Sequence, residues 1–122
     1  MESTAQPGSI SASVPAKAPE LAAALDLLWM RFLPEIRRRV ELLATAATDC
    51  AANRLSTEQC EAAHAAAHKL AGTLGTFNLS AGTVLAREFE LHFAGGDSPD
   101  ASSAGRLASI AAELRAIVDS RK

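Results

Sequence analysis

The sequence predicts an all-α fold, an antiparallel four-helix bundle with a short or kinked leading N-terminal helix. Three observations carry that expectation. Helix formers dominate a chain that is 48% hydrophobic, mostly Ala and Leu, with 4% aromatic residues and no Tyr. β-Branched residues are sparse and never alternate in a run, so no strand is foreseen. Apolar residues recur at helical spacing in successive blocks, with turn signals between them. A length of 122 residues suffices for one domain around a single core.

Residues 1–17 are rich in Ser, Ala and Pro and show no period, and read as a disordered tail or linker without chemistry. The folded domain is expected over 18–122, opening at Pro19, which suits a first helical turn. Leu21, Leu25, Leu28 and Phe32, beside Trp29, mark the leading helix. Pro34 either starts a new helix or kinks that one. Ile36, Val40, Leu43, Ala47 and Cys50 continue an apolar stripe to an end near Ala52. Ser56-Thr57-Glu58-Gln59 has the pattern of a capping box, Ser56 capping and Gln59 reaching back. Behind it, Cys60, Ala63, Ala67, Leu70 and Leu74 form the buried stripe of a central helix. Phe77 to Ser80 makes a corner, with Ser80 as N-cap and Leu79 and Val84 as a hydrophobic staple. The next helix turns Val84, Leu85, Phe89 and His92 or Phe93 inward. Gly95 to Asp100 is a loop, and Leu107, Ile110, Ala111, Leu114, Ile117 and Val118 mark the last helix.

A formal net charge of −2 argues against nucleic acid as a partner, because phosphate binding needs a basic surface. Arg31 and Arg37-Arg38-Arg39, the one basic cluster, are offset by Glu35 and Glu41 and read as a solvated helix face. No basic start followed by an apolar run suggests a signal peptide. The best apolar stretch, Leu21 to Met30, is interrupted by Asp26 and is too short to span a bilayer. A cytoplasmic location with no membrane partner follows as the expectation, and Cys50 and Cys60 are expected as free thiols.

The segment from Ala67 to Leu79 is the most informative. It reads as helix, yet Gly72 stands one turn after His68 and Gly75 near the second turn. Each interior Gly costs a helix about 1 kcal/mol relative to Ala. In a chain this rich in Ala, that cost marks a place where side-chain bulk beside the imidazole is excluded, as docking of another molecule onto His68 requires. His64 and His68 lie off the buried stripe, on a flank shared with Gly72 and Gly75, so His68 should reach solvent.

The order His68-Lys69-Leu70-Ala71-Gly72-Thr73-Leu74-Gly75-Thr76-Phe77, with Ala67 before the His, resembles the signature of histidine-containing phosphotransfer (HPt) domains. These are helical bundles that relay phosphoryl groups in two-component signalling. The likeness is dense over residues 63 to 93. It implies that His68 is the phospho-acceptor and that the partners are receiver domains of response regulators or hybrid sensor histidine kinases. In the family the receiver supplies the aspartate and the Mg²⁺, so the bundle needs no cofactor of its own. No Gly-rich phosphate loop and no kinase-type Asn/Asp/Gly box is present, and the expected role is a phosphoryl carrier, not an enzyme. A monomer is expected. The length and the starting Met suggest a free-standing relay, and a fragment of a larger kinase would read the same.

Such chemistry asks little of a protein. The neutral imidazole is the nucleophile, so one ring nitrogen, expected to be Nε2, must be free, while the other carries a proton held by an acceptor. Glu90 is the candidate acceptor, because the corner at 77–80 folds its helix back antiparallel to that of His68. A Glu or Gln at the corresponding place contacts the active histidine in several HPt domains. Lys69 and Arg87 are candidates for positive charge near the phosphoryl group, and His64, Ala65, Gly72 and Gly75 for the docking face. Two departures from the family pattern stand out. Many relatives have a basic residue three positions after the histidine, where this chain has Ala71, and Asn78 replaces the Gly often found in the corner. Asn tolerates left-handed backbone better than other non-Gly residues.

Two rival readings remain. The chain could be a bundle that binds partners without being phosphorylated, which Ala71 favours and the glycines oppose. Alternatively, His64 and His68, one turn apart, could hold a metal ion with His92 or Glu61 as third ligand, although no Glu follows the first His as in zinc proteases.

Overall fold

The computed structural model describes the backbone of residues 5–121 and the side chains of 18–121. Four α-helices follow in order: α1 (Ala5–Ala51), α2 (Thr57–Thr76), α3 (Ser80–His92) and α4 (Ala104–Ser120). Short 3-10 turns at Ala94–Gly96 and Ala101–Ser103 join the last two. No strand occurs among the described residues, and the all-α expectation holds. The chain divides into two compact units, residues 1–32 and 33–122, of which the second carries the candidate site.

The leading helix is not a separate element. A single helix, α1, takes in both expected segments, with Pro34 inside it. It also includes residues 5–17, which the composition reads as a tail. Pro7 falls in its first turn, where a missing N–H leaves no intrahelical bond unmade. The first four residues of the expected tail lie outside the described residues. Of the leading stripe, Leu25 and Leu28 are half-buried, while Leu21 and Phe32 are exposed.

Within the second unit, apolar residues at helical spacing turn inward from every helix. Ile36, Val40, Leu43, Ala47 and Cys50 of α1 are buried as expected, and so are Cys60, Ala63, Ala67, Leu70 and Leu74 of α2. From α4 come Leu107, Ile110, Ala111, Leu114 and Val118. The rings of Phe89 and Phe93 stack at 5.3 Å in the same core. Both cysteines are buried and free, and burial pushes the Cys50 thiol up, toward its unreactive protonated form.

The link from α1 to α2 is set locally. Ser56 Oγ accepts from the Gln59 amide at 3.1 Å, and Gln59 Oε1 accepts from the Ser56 amide at 2.9 Å, the reciprocal capping box. Gln59 Nε2 also donates to Asp49 at 2.6 Å, tying the start of α2 to the end of α1.

The corner from α2 to α3 decides where the site residues meet. Asn78 adopts φ 60°, and its amide bonds to Gly75 O at 3.1 Å while the Leu79 amide bonds to Leu74 O at 2.9 Å. That pair of bonds is a Schellman closure with Asn in the place Gly usually takes. It also corrects the expected start of α3. Leu79 is the N-cap, without a side-chain cap bond, and Ser80 already lies in the helix. Val84, expected to staple against Leu79, is 64% exposed.

The register of α3 differs from expectation for the same reason. Gly82, Ala86, Phe89 and Phe93 face inward, whereas Leu85 and His92 are half-buried and Val84 points to solvent. At Gly82 the two helices approach so closely that a Cβ would lie 2.8 Å from Leu74 Cδ1. Thr83 Oγ1 then donates to Ala71 O at 3.0 Å and fixes the height of α3 against α2.

Candidate functional site

One face of α2 carries Glu61, His64, Ala65, His68, Gly72 and Gly75, all within a narrow sector of a 3.6-residue helix. The His68 side chain is 69% exposed. Its Nδ1 lies 2.9 Å from Glu90 Oε2 on α3. A carboxylate only accepts, so this contact places a ring proton on Nδ1, and in the neutral ring the lone pair is then on Nε2. Glu90 itself is 19% exposed, its carboxylate set back between the two helices. His64 Nε2 approaches the same oxygen at 3.6 Å.

The surroundings of His68 are small. A Cβ at Gly72 would meet nothing within 4 Å, so this glycine is not required for helix packing. At Gly75 a Cβ would lie 3.4 Å from Thr83 Oγ1, an ordinary contact. Ala65 is exposed beside them. The result is an open, low-relief surface around one imidazole.

Charge is distributed unevenly. Lys69 is exposed, and its field is felt at Glu35, whose carboxyl is held below the usual range first by the Arg38 hydrogen bond. Arg87, exposed one turn before Glu90, forms no ion pair among the described residues. Glu88 has another partner, accepting from Arg106 of α4 at 2.6 and 2.7 Å. That guanidinium lowers the Glu88 carboxyl, helped by the nearby His92. Ala71, three positions after His68, is buried under α3 and offers its carbonyl to Thr83. The Arg37–39 cluster pairs with Glu35 and Asp119.

Sequence reasoning did not foresee the contact of His64 with Glu90, nor the roles of Gly82 and Thr83. The four-residue spacing of the histidines was the available signal for the first. Nothing in a lone Gly or Thr announces a close approach of helices. Among the described residues, no group of three His, Cys, Asp or Glu side chains has the arrangement to hold a metal ion.

The Hpt domain family matches residues 27–120, which include every residue of this site. The chain belongs to that family. Hpt domains are phosphocarrier modules of phosphorelays, built as helical bundles. The chain is also 30% identical over 97 residues to Protein RcaC of Microchaete diplosiphon. That alignment covers 80% of this Hpt chain but only 15% of the relative's length. No solved structure matches. No described helix is long and apolar enough to cross a membrane.

Proposed function

We propose that this Hpt domain relays a phosphoryl group between His68 Nε2 and receiver-domain aspartates of a two-component phosphorelay. The contact of His68 Nδ1 with Glu90 at 2.9 Å carries the reading, because it leaves Nε2 as an exposed nucleophile of defined tautomer. The Nε2 lone pair attacks the phosphorus of an aspartyl phosphate in line, the P–O bond to the aspartate breaks, and that carboxylate leaves. The ring gains positive charge as the P–N bond forms, and the Glu90 carboxylate beside Nδ1–H stabilises it. Transfer onward to another aspartate is the reverse step. No proton need leave the site in either direction.

The receiver is the partner that brings the aspartate and its Mg²⁺, and the face of His64, Ala65, Gly72 and Gly75 is where it docks. Arg87 and Lys69, both exposed, are the cations available to meet the phosphoryl oxygens. A monomeric, cytoplasmic carrier without catalytic machinery of its own fits this division of labour.

The test is transfer of label from ³²P-labelled receiver domains to the wild-type chain and to His68→Gln. Acid-labile, base-stable label on the wild type alone supports the relay. Label that survives in His68→Gln means another acceptor, and no label from any receiver or kinase favours a bundle that only binds partners.

A further inference from the structure

Glu90 is a long side chain asked to hold one ring in one orientation. Its neighbour Glu88 is clamped by an arginine, but Glu90 has no guanidinium or ammonium partner among the described residues. Its contacts there are two imidazoles, His68 Nδ1 at 2.9 Å and His64 Nε2 at 3.6 Å, both on Oε2. The first is a hydrogen bond. The second is longer than one and belongs to the range of ionic and dipolar attraction.

His64 is itself seated. Together with Cys60, Glu61, Phe93, Gly95 and Gly96 it lines a cleft of about 190 Å³ beside Glu90. The charged groups facing it are Glu61 and His68 from its own helix and Glu90 from α3, while the Ala94–Gly96 turn brings no titratable side chain. Held by His68 alone, the carboxylate could swing about its terminal torsion and follow the exposed His68 ring. With a second imidazole one helical turn away attracting the same oxygen, Oε2 stays between the two rings.

We propose that His64 is a positioning residue that acts through Glu90: it anchors the carboxylate, and the anchored carboxylate sets the Nδ1–H tautomer of His68. The effect on transfer rate rests on the relay reading, but the effect on the tautomer does not.

The first measurement is therefore long-range ¹H–¹⁵N spectroscopy of the imidazoles in the full chain. In the wild type the Nδ1–H tautomer of His68 should dominate its neutral form. His64→Leu should shift the ring toward Nε2–H, the form an unconstrained neutral histidine side chain prefers, with helicity and melting unchanged. His64→Gln, whose amide can donate to Oε2, should restore the wild-type pattern. In a Glu90→Ala background, His64→Leu should have no further effect. Transfer from a phospho-receiver should fall about three- to tenfold in His64→Leu, the span of one weak polar contact, and recover in His64→Gln. An unchanged His68 tautomer in His64→Leu overturns the proposal, even where transfer slows, since His64 would then act only in docking. If the wild type accepts no phosphoryl group, the relay reading fails while the spectra still decide the role of His64.

Discussion

Glu88 and Glu90 stand two positions apart on α3 and serve opposite ends. Glu88 reaches α4 and closes a bidentate pair with Arg106, a contact between an ion and a permanent counter-ion. Glu90 reaches α2 and, among the described residues, meets only imidazoles, partners whose charge and tautomer can change. The α3–α4 seam uses its carboxylate to tie helices together. The α2–α3 seam uses the same chemical group to hold a nucleophile ready. Phe89, buried between them, fixes which carboxylate points which way. A helix of period 3.6 separates the two side chains by about 200°, so a single inward Phe is enough to send them to different neighbours.

Substitutions at the α2–α3 seam should therefore change transfer and spare the fold, and those at the α3–α4 seam the reverse. The largest expected effect is from His68→Gln, which should abolish phosphorylation while unfolding free energy changes by no more than about 0.5 kcal/mol, as for an exposed residue off the core. Denaturant titration beside the transfer assay checks both halves. Glu90→Ala comes next. Losing the group that orients a working imidazole should slow transfer by about ten- to a hundredfold, with Glu90→Gln recovering part of the rate through its carbonyl. Gly72→Leu should slow transfer several-fold by raising a side chain into open space beside His68, with melting unchanged or slightly raised. Wild-type rates in that variant would remove the reason for its glycine.

The smallest effect belongs to Glu88→Gln, a loss of a few degrees at most in Tm with transfer unaffected. Its pH dependence has a definite sign. Arg106 holds the folded Glu88 carboxyl below its ordinary range, so the stabilisation is present at neutral pH and disappears as pH falls through the lowered value. Melting curves of wild type and Glu88→Gln should converge on acidification.

Much of this was legible where the determinants are local. The capping box at Ser56 and Gln59, the α2 stripe from Cys60 to Leu74, and the left-handed Asn78 each depend on residues within one or two turns. The exposure of His68 followed from the same periodicity. The rest depends on how helices meet. In α3 the hydrophobic pattern pointed to Val84 and Leu85, yet the inward positions are Gly82 and Ala86, because a close approach to Leu74 needs absence of bulk rather than hydrophobicity. Val84 and Leu91 are left at 64% and 73% exposed on the outer face. Whether Glu88 or Glu90 faced α2 turned on that register. Glu90 was chosen from the antiparallel return of its helix, whereas the pairing of Glu88 with Arg106 crosses eighteen residues and had no local signal.

The most direct test is single-turnover transfer from one ³²P-labelled receiver to wild type, Glu88→Ala and Glu90→Ala, side by side at neutral pH. The contrast between the seams predicts a rate near wild type for Glu88→Ala and a loss of about ten- to a hundredfold for Glu90→Ala. Equal rates in the two variants would contradict it, because the carboxylate beside His68 would then contribute no more to transfer than the one that holds the helices together.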